Sequence, residues 1–399
     1  MTLEIARTIR PQIWMKTPGV KTLMALLNDS KTQAFFVGGC VRNALLGEEV
    51  EDVDIAAQLL PDQVMERLSA EGIKVVPTGI THGTVTAVLD GQPFEITTLR
   101  RDVETDGRRA VVTFTRDWQE DAQRRDFTMN TLLADMDGHI YDPLGTGLAD
   151  LEARRVVFVG KPGQRIAEDY LRILRFFRFH AFYGKGAPDE AALKACRAAA
   201  DKIETLSRER ITQEFLKILS IDVPTNTLNL MFENNVLKEF LFSEYEEDLL
   251  KHLCVFQKRY GLAFIAARLF VLAGLKLGNI EDMEELLLLP KVFRKDMDAI
   301  HAILGLEDLS DDRAVKTAIY KYGRVPTAQA LMIELAQDRV MNGYAPKALD
   351  LVQNWDIPDF PVSGEDLLKA GHKPGPALGE KLAELEEEWI RGGFIMPVT

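Results

Sequence analysis

The sequence predicts an α+β chain: a mixed sheet with helices over roughly residues 20–140, followed by a remainder that is nearly all α. Two observations carry this. Up to about residue 140, short apolar runs bounded by Gly alternate with stretches of helical periodicity. From Leu151 onward apolar residues recur at helical spacing and strand signals become rare. A length of 399 residues fits two or three domains.

Taken in order, residues 22–28 (TLMALLN) carry helical spacing, AFFVGG reads as a short buried strand, VRNALLG as a helix stopped by Gly47, and VDIAAQ as a second strand. In PDQVMERLSAEG, Pro61 stands at a first helical position, where its missing N–H has no partner to lose. GIKVVPTG, GTVTAVLDG and PFEITTLR read as strands, and Asp90-Gly91 between the last two is a hairpin signal. The segment from Arg101 to Ala110, RDVETDGRRA, mixes both charges without apolar periodicity and is expected to be a mobile surface loop. Beyond it, EDYLRILRFFRFHAFYG, PDEAALKACRAAADKIETL, RERITQEFLKILS and VFQKRYGLAFIAARLFVLAGLKLG read as helices. The Pro and Gly cluster in WDIPDFPVSG marks a loop before an amphipathic end, GPALGEKLAELEEEWIRGGF. No internal repeat or low-complexity tract interrupts this order.

Hydrophobic residues at 46% and charged residues at 27% are those of a globular protein and exclude wholesale disorder. No run of about 18 uncharged apolar residues occurs, and the charged start MTLEIARTIR does not resemble a secretory signal, so no membrane partner is expected. Cys40, Cys196 and Cys254 are odd in number and far apart, which fits neither a disulfide framework nor a zinc knuckle; a cytoplasmic protein is expected. The net charge of −13 argues against coating nucleic acid by bulk electrostatics, so any phosphate partner must meet a local basic surface.

Three constellations carry chemistry. In the first, Gly38-Gly39 follows a strand, Arg42 lies on the next helix, and Asp52-Val53-Asp54 begins a second strand. Alternation puts Asp52 and Asp54 on one face, and two converging carboxylates suit a hard cation such as Mg²⁺ bridging substrate phosphates. A lone DxD is commonly a solvated strand end; behind a strand-GG-helix unit it points to nucleotidyl transfer. Glu95, between Phe94 and Ile96, is either a third carboxylate of that site or a residue on a solvated strand face. The second constellation is Arg124-Arg125-Asp126-Phe127-Thr128-Met129-Asn130. In the third, Asp169, Arg172, Arg175 and Arg178 recur every three residues and are expected along one helix face, a donor and acceptor array suited to a base edge and to phosphates. The chemistry needs no histidine or thiol, so His82, His180 and Cys40 read as structural.

In order from Phe35 to Leu219, FFVGGCVRNALLG…EDVDIA, TGITHGTVT, RRDFTMN, DPLGTGLADL, EDYLRILRFFRF and SRERITQEFLKIL resemble the bacterial class II CCA-adding enzymes, the tRNA nucleotidyltransferases, and their relatives the bacterial poly(A) polymerases. The resemblance implies a nucleotidyltransferase head over residues 1–145, then an all-α neck over 146–220, body over 221–320 and tail over 321–399. It implies template-independent addition of CCA to the tRNA 3′ end from CTP and ATP with release of pyrophosphate. Asp52 and Asp54 match the Mg²⁺-binding pair, with Glu95 as the third catalytic carboxylate. Gly38, Gly39 and Arg42 match the triphosphate segment and Arg125 the RRD arginine; Asp126 and Asn130 match that motif's polar positions, for ribose contact and scaffolding. Asp169 and Arg172 match the pair that reads the base edge, and Arg175 and Arg178 match further nucleotide contacts. Asn43 stands where the family commonly has aspartate. Poly(A) polymerase is the nearest alternative, but PTGITHGTVT stands where such polymerases carry a basic, aromatic segment. A CC-only enzyme would have a shortened segment before RRD, whereas RRDVETDGRRAVVTF is full length; in the resembled family that segment helps the site switch from CTP to ATP. An inactive RNA-binding scaffold is the reading from another class, and retention of the carboxylates speaks against it.

Overall fold

The computed structural model describes residues 3–106, 109–236, 245–306 and 309–395. These fall into two compact units, one of residues 1–218 with 229–237 and one of residues 219–228 with 238–399.

The first unit is built on β1 (Ile5–Thr8), α1 (Pro18–Leu27), β2 (Ala34–Val37), α2 (Gly39–Leu46), β3 (Asp54–Ala57), α3 (Pro61–Ala70), β4 (Lys74–Gly79), β5 (Thr84–Leu89) and β6 (Gln92–Thr98). There follow β7 (Arg100–Asp106), β8 (Arg109–Phe114), α4 (Trp118–Gln123), β9 (Leu133–Ala134) and β10 (His139–Tyr141). Eight strands form one sheet in the order β1-β10-β9-β2-β3-β6-β5-β4. Among the described residues only β3 and β6 pair in parallel, and their register sets Asp54 opposite Glu95. The β5–β6 hairpin turns through Asp90 (φ 50°) and Gly91 (φ 77°), the two positive φ values that its Asp-Gly signal requires. Apolar side chains fix the sheet to its cover: Phe35, Val37, Ala56, Leu99, Trp118 and Leu133 form one buried cluster, with the Phe35 and Trp118 rings 4.9 Å apart.

Two expectations are corrected here. The segment from Arg101 to Ala110 is not a loop: Arg100–Asp106 and Arg109–Phe114 pair as an antiparallel two-stranded sheet, with residues 107 and 108 outside the described residues. Residues 102–109, DVETDGRR, hold a single apolar side chain, Val103, so apolar periodicity has nothing with which to mark the strands. Asp52 does not share a strand with Asp54 either; it lies in the approach to β3, of which Asp54 is the first residue.

The unit continues through α5 (Gly147–Glu152), α6 (Pro162–Glu168), α7 (Leu171–Tyr183), α8 (Glu190–Ala198) and α9 (Arg208–Leu219). Helix α7 buries Leu171, Ile173, Leu174, Phe176, Phe177 and Phe179, so Arg172, Arg175 and Arg178 occupy its remaining face. A stack of aromatics pins it: the Phe127 and Phe158 rings are 4.8 Å apart, and Phe176 lies 5.7 Å from Phe158.

The second unit is helical among its described residues: α10 (Pro224–Glu233) crosses its boundary, and α11 (Glu247–Arg259), α12 (Ile265–Leu272), α13 (Leu277–Leu286), α14 (Lys291–Leu304), α15 (Asp312–Tyr322), α16 (Arg324–Ala336), α17 (Ala345–Asn354), α18 (Gly364–Lys369) and α19 (Pro376–Arg391) follow. Helix α16 is its central rod, buried at every residue from Thr327 to Ala336. The one carboxylate on that stretch, Glu334, accepts from the Leu309 N–H at 2.7 Å. The amphipathic end packs Trp389 against Tyr320 and Phe394. No described helix is long and apolar enough to cross a membrane. Cys40, Cys196 and Cys254 are free thiols, all buried.

Candidate active site

The site is assembled where β2 gives way to α2. Gly38 has φ 75° and ψ −126°, a conformation that only glycine adopts without strain. A Cβ there would come within 3.7 Å of Arg125 Nη1 and 3.9 Å of Asp54 Oδ2, so the diglycine lies directly against a guanidinium and a carboxylate. Asp54 faces Glu95 across the parallel register, while Asp52 and Glu95 are exposed. Glu95 therefore stands at an exposed strand position and is also the register neighbour of Asp54. Burial, then Glu95 and Asp52, push the Asp54 carboxyl up to about 6 against the pull of Arg125. Asp54 and Glu95 stand opposite each other and Asp52 also acts on Asp54, so hard oxygen donors with excess negative charge lie here, and their chemistry fits a divalent cation.

Arg125 is aimed from behind. Its Nε and Nη2 donate to Asp121 Oδ2 at 3.2 and 3.0 Å, leaving Nη1 toward Gly38. Asp121 is buried on α4, also takes Arg124 at 2.7 Å, and is held below the usual carboxylate range by the two guanidiniums despite its burial.

Arg42 is only 7% exposed, and its donors go to Asn130, Asn43 and the Tyr183 hydroxyl. Asp126 accepts from Asn130 Nδ2 at 2.9 Å and from Arg175 Nε at 2.9 Å and Nη2 at 2.5 Å. Burial would raise the Asp126 carboxyl, but Arg175 and the Asn130 amide outweigh it and hold it at about 2. Arg178 donates to Glu214 on α9 at 2.6 Å, over the Phe179 ring.

The expectation that Asp169 shares a helix face with the arginines is corrected. Asp169 ends α6 with extended backbone, φ −158° and ψ 106°, one residue before the cap of α7. There its Oδ1 accepts from the Leu171 N–H at 3.1 Å, as helix-capping carboxylates do. Its Oδ2 pairs with Arg210 at 2.6 Å, and Arg172 instead donates to Glu168 at 2.6 Å and to the Arg165 carbonyl at 2.8 Å. Asp169 and Arg172 are thus joined only by the backbone, the Arg172 N–H donating to the Asp169 carbonyl at 3.0 Å, while their side chains go to different partners.

Sequence reasoning passed over Asp121, Tyr183, Arg210 and Glu214, and gave Glu168 no role of its own, yet each fixes a site residue. Arg210 and Glu214 lie in the quoted run RERITQEF, where acid and base four residues apart gave the only signal. A separate grouping, Asp135, Asp137 and His139, brings its ligand atoms within 4.8 Å of one another. Its carboxylate Asp135 already accepts from the Asp137 and His139 N–H groups, the His139 ring and the Tyr141 hydroxyl, which makes it the lock of the β9–β10 turn.

Residues 34–157 match the family model described as the poly A polymerase head domain, and residues 187–249 match the probable RNA and SrmB-binding site of polymerase A. The chain is 35% identical to the mitochondrial CCA tRNA nucleotidyltransferase 1 of Danio rerio, over 95% of this chain and 88% of that one. It is 32% identical to a CCA-adding enzyme of a Geobacillus species, over 95% and 94%. In structure it is similar to the Bacillus stearothermophilus CCA-adding enzyme in complex with CTP, with a TM-score of 0.78, 26% identity and 94% of each chain covered. With relatives this similar along nearly their whole length, and a diglycine, carboxylate and arginine site on the matching head, the chain belongs to the CCA tRNA nucleotidyltransferase family, the CCA-adding enzymes.

Proposed function

We propose that this chain adds C, C and A in turn to the 3′ end of tRNA without a template, using CTP and ATP and releasing pyrophosphate. The observation that carries the reading is the approach of Asp54 and Arg125 to Gly38 at the start of α2, with Glu95 opposite Asp54 on the next strand. In the reaction the primer 3′ oxygen bonds to the α-phosphorus and the bond to pyrophosphate breaks. Asp52 and Asp54 would hold Mg²⁺, which when bound supplies neutralisation of phosphate charge and activation of the attacking hydroxyl. Glu95 completes the acidic face. Gly38 and Gly39 let phosphate oxygens approach backbone N–H groups at the start of α2, and Arg42 and Arg125 offset their charge. Asp169 and Arg172 read the base edge, Arg175 and Arg178 line the nucleotide's path, and Asp126 and Asn130 align the ribose and scaffold the arginines. We further propose a head over residues 1–145, a neck over 146–220, a body over 221–320 and a tail over 321–399, the last for the tRNA.

The test is extension of a tRNA that lacks its 3′ CCA, with labelled CTP and then ATP. Two C residues followed by a single A are expected. Long A tails from ATP alone would establish a poly(A) polymerase, arrest after two C residues a CC-adding enzyme, and no incorporation an inactive scaffold. Asp52→Ala and Asp54→Ala should each abolish C and A addition with tRNA affinity retained, because they remove the cation's seat and not the RNA platform.

A further inference from the structure

Helix α7 and the diglycine helix α2 are joined by a closed ring of hydrogen bonds. From α7, Arg175 donates to Asp126. Asn130 Nδ2 donates to the same carboxylate at 2.9 Å. Arg42 Nη1 on α2 donates to Asn130 Oδ1 at 2.7 Å, and Arg42 Nη2 donates to the Tyr183 hydroxyl at 2.7 Å, which returns the ring to the last residue of α7. Arg175, Phe179 and Tyr183 follow at four-residue spacing, so they lie on one stripe of the helix. The Arg42 guanidinium carbon sits 4.0 Å from the Tyr183 ring centroid and 5.3 Å from that of Phe179, where Arg175 also rests at 5.3 Å.

The charges around this ring are unequal. Arg125, Arg172, Arg175 and Arg178 each donate to a carboxylate. Among the described residues, all of Arg42's hydrogen-bond acceptors are neutral: Asn43 Oδ1 at 3.1 and 2.9 Å, Asn130 and Tyr183. Its charge therefore remains available to an anion, and Nη2 is the atom that a Cβ on Gly39 would approach to 3.7 Å. The Tyr183 hydroxyl is what orients that nitrogen from α7.

We propose that Tyr183 is a positioning residue for the nucleotide's phosphates: through Arg42 it ties the phosphate end of the site to the helix that carries Arg172, Arg175 and Arg178. The proposal rests on the reading of this site as one that takes CTP and ATP. A base seated on α7 and a triphosphate seated on α2 then share one alignment.

The test compares Tyr183→Phe, which keeps the ring and loses the hydroxyl, with Tyr183→Leu, which loses both. Steady-state CTP and ATP addition, thermal melting, tRNA affinity and binding of inorganic tripolyphosphate are measured. Tyr183→Phe should raise KM for both nucleotides roughly five- to tenfold, the scale of one ordinary hydrogen bond, since the bond lost acts on the phosphates only through Arg42. Its kcat should stay within about twofold of the parent, with tRNA affinity unchanged. Tripolyphosphate, which has no base, should weaken by the same factor, and Tyr183→Leu should weaken both further. A lowered melting temperature with KM and tripolyphosphate affinity at parental values overturns the proposal, because a purely structural role moves only the melt. If the parent protein fails to extend tRNA while tripolyphosphate binding still falls in Tyr183→Phe, the positioning role stands and the CCA-adding reading falls.

Discussion

Replacing Asp54 by asparagine should stabilise the cation-free protein while destroying its activity. In the folded chain the Asp54 carboxyl is raised from 3.8 to about 6, first by burial and then by Glu95 and Asp52. A raised acid takes up its proton more readily folded than unfolded, so it draws stability down as pH climbs from about 4 to about 6, and the deficit is complete above that. At 1.36 kcal/mol per unit the ceiling is about 3 kcal/mol; with solvent reaching part of the group, on the order of 1–2 kcal/mol is expected. Asparagine keeps the shape and cannot ionise, so at pH 7 in EDTA the variant should melt several degrees above the parent. At pH 5 the gap should shrink, since the parent then carries the proton. Adding Mg²⁺ should raise the parent's melting temperature and leave the variant's nearly unmoved. A variant that melts below the parent at pH 7, or a gap independent of pH, would show that Asp54 is not held in excess negative charge.

Asp126 behaves in the opposite sense. It is held at about 2, below its unfolded value, so its ion pair with Arg175 contributes above about pH 4 and is lost as pH falls toward 2. Asp126→Asn should cost about 2–3 kcal/mol in urea melts at pH 7, with the difference closing in acid; an equal difference at pH 7 and pH 3 would contradict the pairing. Shortening the β7–β8 hairpin should spare C addition and selectively impair A addition, measured on tRNA ending before CCA and on tRNA ending in CC. Loss of both steps together, or of neither, would refute a role for the hairpin in the change of specificity.

The sequence made legible what is local and repeated. Asp90-Gly91 announced its hairpin, the strand-GG-helix unit put Gly38 beside Asp54, and the apolar spacing of residues 171–179 marked the helix that presents three arginines. Asp169 was misplaced because its spacing of three from Arg172 continues through the break between α6 and α7, where neither Pro nor Gly signals a stop. The short strands β1, β9 and β10 have too few residues for alternation to show. The partners that aim the site were out of reach for a different reason. Tyr183 stands 141 residues from Arg42, Glu214 stands 36 from Arg178, and Arg210 stands 41 from Asp169, and no local pattern encodes such pairs.

If Asp169 and Arg172 read the base as proposed, those pairs set how it is read without a template. Arg172, Arg175 and Arg178 are each anchored by a carboxylate behind them, so binding a nucleotide has little side-chain freedom left to remove from them. Asp169 is the adjustable member. Arg210 and Asp169 are 27% and 24% exposed, so both partners are open to solvent, and the Asp169 carboxylate can exchange Arg210 for a base edge. Arg210→Gln should therefore change nucleotide KM less than about threefold, keeping UTP and GTP excluded. Asp169→Ala should admit UTP and GTP, because a lost base-edge contact removes discrimination while the triphosphate is still held elsewhere. Misincorporation of all four nucleotides on tRNA lacking CCA measures both variants. If Asp169→Ala remains as selective as the parent, or Arg210→Gln loses selectivity as fully as Asp169→Ala, then the reading group is the ion pair as a unit and not the Asp169 carboxylate.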